Sequence, residues 1–260
     1  KAGGKYEDNK DTISSWKNEN IWKIKKGDIA RFYWVTLQGA LGSPADLIGA
    51  RHLCMEILSE KEDSKKKPMV LGFYPKGGDI AGSLVNYGLS WLSSYFKNSK
   101  GEIWLPDPHF VSDEDIKKYL KEGETIDDFR NKNRYLSELV TYGDYKNEPI
   151  IYIIDDNQAT TINDILKNKE CRLKKKESSS AKVKKTRLEC PEGKYDYCVV
   201  SGEKEKNCIT WLQDLFKDLY YDISGKNKPI VKDYTSRKLR RRNTKENIVF
   251  RETRVKKRLS

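Results

Sequence analysis

Arg31–Glu60 reads RFYWVTLQGALGSPADLIGARHLCMEILSE, and the way this stretch divides into elements decides the fold. Arg31–Gln38 is aromatic and β-branched, the composition of a strand buried on both faces. Gly39–Gly42 breaks it. Ser43 and Pro44 then stand where an N-cap and a first helical residue belong. Leu47, Ile48, Leu53, Ile57 and Leu58 recur at near-helical spacing, so Ala45–Glu60 is expected to be a helix. Pro68–Tyr74 (PMVLGFY) reads as a second buried strand, Lys76-Gly77-Gly78 as a tight turn and Ile80–Phe96 as a second helix. Strand, helix, strand, glycine turn and helix make the rhythm of an α/β protein.

On the N-terminal side, residues 1–28 are polar and rich in Lys, Asn and Asp, with Trp16, Ile21, Trp22 and Ile24 as docking residues; they read as an extended arm or short helix. On the C-terminal side, residues 98–148 depart from the rhythm and read as a charged insertion with helices near Glu114–Glu122 and Ile126–Val140. The rhythm resumes with a strand at Pro149–Asp155 and a helix from about Thr161 to Lys169. Residues 170–185 form a second insertion, a basic, Ser-rich loop. Arg187–Val200 holds a Pro-Glu-Gly turn between two short strands. Asn207–Asp222 (NCITWLQDLFKDLYYD) is amphipathic, with Ile209, Leu212, Leu215, Phe216, Leu219 and Tyr220 on one side and Gly225 at its C-cap. An α/β domain is thus expected over 29–250, followed by a basic tail at 251–260.

The chain has 260 residues, 35% of them charged and 37% hydrophobic, with enough Phe, Trp and Tyr to anchor a core. Its net charge of +12 raises a nucleic-acid reading. The excess, however, gathers in Lys174–Lys176, Lys182–Arg187 and the tail from Arg237 to Arg258, and such runs usually form solvated faces. The aromatics lie mostly inside strands and helices, so nucleic acid is an unfavoured partner. The five cysteines, Cys54, Cys171, Cys190, Cys198 and Cys208, include no CxxC pair. An odd count without that pair argues against a disulfide framework and against zinc, and a reducing compartment is the simpler expectation. No cofactor or metal is expected. No apolar run approaches the ~20 residues that span a bilayer. The chain opens on Lys1 without a visible signal peptide, so its localisation cannot be read from that end.

Four separated segments resemble the caseinolytic protease ClpP, in order. Arg31-Phe-Tyr-Trp-Val-Thr-Leu-Gln-Gly39 with Ala45-Asp-Leu-Ile48 is similar to that family's strand, Gly and Leu-Ile-rich helix. Gly77-Gly78-Asp-Ile-Ala81-Gly82 is similar to its Ser-Pro-Gly-Gly turn, with Pro75-Lys76 where Ser-Pro would stand. Gln158-Ala159-Thr160-Thr161-Ile162 resembles its nucleophile elbow. Arg187-Leu-Glu-Cys-Pro191-Glu-Gly193 resembles the strand leading to its catalytic His, and Ile230–Arg237 the segment ending at its catalytic Asp. The resemblance implies a ClpP/crotonase-type α/β fold of repeated β-β-α units with a helical handle.

It also implies where a triad would fall, and none is usable there. The nucleophile position falls on Thr161, the base on Cys198 and the acid near Arg237 or Lys238, with Asp233 the nearest carboxylate. Cys198 cannot shuttle a proton as imidazole does. The two histidines stand elsewhere: His52 inside the expected first helix and His109 in the insertion. Gly77 and Gly78 would be the remnant of an oxyanion hole. What the resemblance implies is therefore an inactive, ClpR-type subunit. It would self-associate into a heptameric ring, alone or with active ClpP subunits, be fed by a Clp/Hsp100 chaperone, and reside in a plastid-like organelle such as the apicoplast. Three alternatives are a crotonase-fold enzyme using Asp79 or Asp155-Asp156, a basic RNA-binding protein, and an active serine peptidase.

Overall fold

The computed structural model describes residues 5–36, 51–60, 66–76, 99–112, 116–118, 120–133, 137–143, 145–176, 185–195 and 206–226. The described chain is a mixed α and β structure built on one large antiparallel sheet. Its strands are β1 (Lys5–Glu7), β2 (Ile29–Thr36), β3 (Arg51–Leu58), β4 (Met69–Pro75), β5 (Ser99–Leu105), β6 (Ser137–Leu139), β7 (Thr141–Tyr142), β8 (Tyr145–Pro149), β9 (Ile151–Ile153), β10 (Arg172–Lys176) and β11 (Lys185–Tyr195). Its helices are α1 (Lys10–Asn20), α2 (Ile126–Asn133), α3 (Asp156–Lys167), α4 (Cys208–Leu215) and α5 (Leu219–Ile223). The sheet runs β1-β10-β11-β5-β4-β3-β2-β6, with β9 also on β2, and β7 pairs β8 separately.

The decisive stretch folds half as the sequence suggests. The aromatic segment is strand β2, but Arg51–Leu58, expected within the helix Ala45–Glu60, is strand β3, paired with β2 from Ile29↔Leu58 to Thr36↔Arg51. The reason lies in the spacing. Leu53 and Ile57 are four residues apart, which fits one face of a helix and equally one face of a strand. Met55 between them completes a period of two, and all three are fully buried. His52, Cys54 and Glu56 on the opposite face are buried as well, so the polar alternation that would have flagged a strand carries no exposed side.

The two faces of the sheet differ chemically. On one, Phe32, Leu53, Met55, Leu71, Phe73 and Ile103 form a single core with Ile162 and Leu166 of α3, Trp211 and Leu212 of α4 and Phe216 at the C-cap of α4. Phe32 meets Phe216 edge-on at 5.2 Å and Phe73 stacks with Trp211 at 5.7 Å. The other face is aromatic and charged: Tyr33, His52, Glu56, Tyr74, Glu102, Trp104 and Glu189 are all buried there. Arg31 is ion-paired with Glu56, and Arg187 Nε donates to Glu189 Oε1 at 2.7 Å.

Other expectations shift in detail. The stretch set apart as an insertion supplies β5, which lies between β4 and β11 inside the sheet. Ser137–Leu139, expected as the end of a helix, is strand β6 on β2. The N-terminal arm contributes α1 and edge strand β1. Helix α3 starts at Asp156, ahead of the expected Thr161, because Asp155 and Gln158 form a reciprocal capping box. The segment Asn207–Asp222 divides at Phe216, whose non-helical backbone ends α4 and whose ring is buried against Phe32 and Tyr152. The Pro-Glu-Gly turn is a bulge within one continuous strand, β11. The expected helix Ile80–Phe96 and the 177–184 part of the second insertion lie outside the described residues. Among the described residues no helix is long and apolar enough to cross a membrane.

Two cysteines expected to be reduced are joined. Cys171, just after α3, and Cys190, in β11, form a disulfide across 19 residues. The odd count hid it, because oddness leaves one thiol over without ruling out a pair. Closing a loop of this size is worth roughly 3 kcal/mol through the unfolded state. Reduction with dithiothreitol, or Cys190→Ala, is therefore expected to lower the urea midpoint by a stability loss of about 2–4 kcal/mol. An unchanged midpoint would show that the bond contributes nothing.

Candidate active site

Four chemically capable side chains come from four parts of the chain. β3 presents His52, β4 presents Tyr74, the turn after β5 presents Asp107, and α4 opens on Cys208. His52 Nε2 lies 3.1 Å from Asp107 Oδ2, and the Tyr74 hydroxyl donates to the same oxygen at 2.8 Å. Asp107 Oδ1 accepts the backbone N–H groups of His109 at 2.8 Å and Phe110 at 3.2 Å. Both carboxylate oxygens are thus engaged, and the turn that carries Asp107 is fixed by its own side chain.

Aromatic stacking sets the imidazole plane. His52 stacks on Tyr74 at 4.4 Å, Tyr74 on Trp104 at 4.1 Å, and the Arg187 guanidinium lies 3.6 Å from the Trp104 ring centre. This column crosses β3, β4, β5 and β11 in their order in the sheet. Gly72 makes room for it: a Cβ there would collide with Asp107 Oδ2 and approach His52 Nε2 to 2.7 Å.

Cys208 is the first residue of α4. The Asn207 side chain caps that helix by accepting the N–H groups of Ile209 and Thr210, both at 2.9 Å. The sulfur therefore stands at the positive end of the helix dipole, which favours the thiolate. Burial opposes ionisation of Cys208. The charge and hydrogen bonding of His52, with a hydrogen bond from the Leu53 backbone, nevertheless hold the thiol below its ordinary range. For His52, burial alone would lower the basicity. The neighbouring Cys208 and Asp107 charges outweigh it and push the imidazole up to about 10. Asp107 is likewise resisted by burial but held down by His52 and His109. The Tyr74 hydroxyl is pushed well up, by burial and then by Asp107, so it stays a donor.

The directions agree with one another: the surroundings favour the thiolate of Cys208, the imidazolium of His52 and the carboxylate of Asp107. His52 Nε2 is committed to Asp107, while Nδ1 is buried without a hydrogen-bond partner of ordinary geometry. Nδ1 is therefore the ring nitrogen that Asp107 does not engage. A nucleophile, an imidazole to take its proton and a carboxylate to hold that imidazole in one tautomer are the parts of covalent acyl-transfer chemistry.

The positions singled out in the sequence fare differently. Thr161 is exposed within α3, and its hydroxyl donates to Asn157 O at 2.9 Å. Asp155 caps α3, and Asp156 is an exposed partner of Lys26 at 3.3 Å. Gly77, Gly78, Asp79, Cys198, Asp233, Arg237 and Lys238 lie outside the described residues. His52, expected inside the first helix, is in strand β3, beside the Asp107 carboxylate. The signals missed were Asn207-Cys208, a good N-cap followed by a thiol at the start of an amphipathic helix, and Asp107 two residues before His109. Among the described residues no group of three or more His, Cys, Asp or Glu is placed to hold a metal ion. No family model matches the chain, and neither a curated protein nor a solved structure matches it.

Proposed function

We propose that the protein is a thiol-dependent acyl-transfer enzyme, a hydrolase of an ester, thioester or amide, with Cys208 as nucleophile, His52 as base and acid, and Asp107 as the group that orients His52. The observation that carries this reading is the His52–Asp107 bond of 3.1 Å beside a cysteine at a helix start. His52 Nδ1 takes the Cys208 thiol proton, and the sulfur attacks the substrate carbonyl carbon. The tetrahedral intermediate collapses as the C–O, C–S or C–N bond breaks, and the His52 proton goes to the leaving group. Water, deprotonated by His52, then cleaves the acyl-thioester and returns the thiol. Tyr74 and Trp104 keep the imidazole plane fixed during both proton transfers.

Alkylation with iodoacetamide, read by peptide mass spectrometry across pH, tests this without knowing the substrate. A depressed thiol is ionised above its folded pKa and protonated as pH falls through it. Cys208 is therefore expected to react at neutral pH ahead of Cys54, whose thiol burial pushes well up. His52→Gln removes the cation, leaves burial dominant and shifts the midpoint above the ordinary thiol range. A wild-type midpoint at or above that range would sink the proposal.

A second reading keeps the inactive ClpP-type subunit, with the finer ClpP/crotonase fold, the heptameric ring, the Clp/Hsp100 chaperone and the plastid-like setting that go with it. Its support is the ordered set of ClpP-like segments, together with the burial of the cluster, since His52 is 1% and Cys208 8% exposed. On that reading the three groups are a buried structural ion pair. An unreactive Cys208 in a protein that elutes as a heptamer would favour it.

A further inference from the structure

We infer that the groove between α1 and α3 is a docking site for an acidic peptide segment of a partner protein. The groove encloses about 480 Å³, within the size range of ligand sites. Lys10, Lys17, Lys23, Lys167 and Lys169 ring it, and among the described residues no Asp or Glu lines it, although Asp11, Glu19 and Asp164 belong to the same two helices. Among the described residues none of the five lysines forms an ion pair. Lys17 is half-buried, and burial lowers its affinity for its proton; its Nζ donates only to the Asn168 carbonyl, at 3.0 Å. A carboxylate brought into the groove would neutralise an ammonium that the fold leaves without a counter-charge, and like charges gathered on one concave face strengthen that attraction.

The floor is apolar: Ile13, Ile21, Trp22 and Leu166. Asn163 beneath it is already satisfied, exchanging bonds with the Ile24 N–H at 3.1 Å and carbonyl at 2.8 Å. The floor therefore offers contact area without polar demands, suited to an aliphatic side chain flanked by carboxylates. It suits nucleic acid poorly. Among the described residues the lining holds no arginine to fork onto phosphate. Among the described residues its one aromatic is Trp22, which spends its N–H on Lys67 O at 2.9 Å and has the Lys66 ammonium 5.3 Å from its ring centre, a poor stacking platform for a base.

Fluorescence anisotropy of a labelled hexapeptide, Glu-Leu-Glu-Glu-Leu-Glu, tests the assignment on the full chain. Saturable binding is expected that weakens with added salt, weakens when both peptide leucines become serine, and falls at least about fivefold in Lys10→Glu/Lys167→Glu/Lys169→Glu. Lys121→Glu, outside the groove, should leave it unchanged, and the melting curve of the triple variant would report whether its fold is intact. If the triple variant unfolds, Lys10→Gln alone should still weaken binding. Absence of saturable binding, equal binding by the intact triple variant, or tighter competition by a single-stranded RNA dodecamer would each overturn the inference. None of these outcomes depends on Cys208 chemistry.

Discussion

Replacing Cys208 by alanine is expected to lower turnover of p-nitrophenyl acetate by roughly 10³-fold or more, to the level of the uncatalysed reaction. The size follows from what is removed. Alanine leaves no atom able to form the acyl intermediate, so the whole covalent pathway is lost rather than slowed. In the wild type, release of one equivalent of p-nitrophenol should precede steady turnover, and the acetyl group should be found on the peptide that holds Cys208. His52→Gln should come close to the same loss by a different route: the thiol stays, but burial keeps it protonated. Cys208→Ser should also lose most of the turnover, since a hydroxyl is far less acidic than a thiol and gains little from surroundings that favour a thiolate. Wild-type rates in Cys208→Ala would place the chemistry elsewhere or nowhere.

The arrangement behind that expectation was only partly visible in the order of residues. β2 and β4 declare themselves by aromatic and β-branched runs, and α3 and α4 by amphipathic spacing with Asp155 and Asn207 as caps. β3 did not, because Leu53 and Ile57 stand at a distance both periods share, and the residues alternating with them, His52, Cys54 and Glu56, face the interior rather than solvent. That one misreading concealed the site: in a helix His52 faces no neighbouring strand, whereas in β3 its ring reaches Tyr74 and Asp107. The remaining distance is a matter of topology. His52, Asp107 and Cys208 are far apart in sequence, and only pairing β3 with β4 and β4 with β5, then laying α4 across the sheet, brings them together. Single-residue chemistry cannot announce a constellation whose members are joined by long-range pairing.

Asp107→Ala should destabilise the fold by about 3–5 kcal/mol, the range for removing one member of a buried charge pair. That is a large fraction of the 5–15 kcal/mol that holds a typical domain together. The cost has identifiable parts. The Tyr74 hydroxyl and the His109 and Phe110 N–H groups lose their acceptor inside the protein. The His52 imidazolium loses its counter-charge. Urea titration across pH should show the sign. Asp107 is depressed in the fold, so its contribution is full above the unfolded carboxyl pKa and fades as pH falls through the lower folded value. His52 is raised to about 10, so its contribution is full below the unfolded imidazole pKa and is lost as pH rises through about 10. The gap between wild type and Asp107→Ala should therefore be wide near neutrality and narrow toward both extremes. Asp107→Asn separates structure from chemistry. Its Oδ1 can still accept the two backbone N–H groups, so the stability loss should be smaller. Its amide presents a donor to His52 Nε2, which then holds the imidazole with its proton on Nδ1. That tautomer cannot accept the Cys208 proton, so this variant should be folded and inactive. A folded Asp107→Asn protein that keeps full turnover would show that Asp107 only supports the turn.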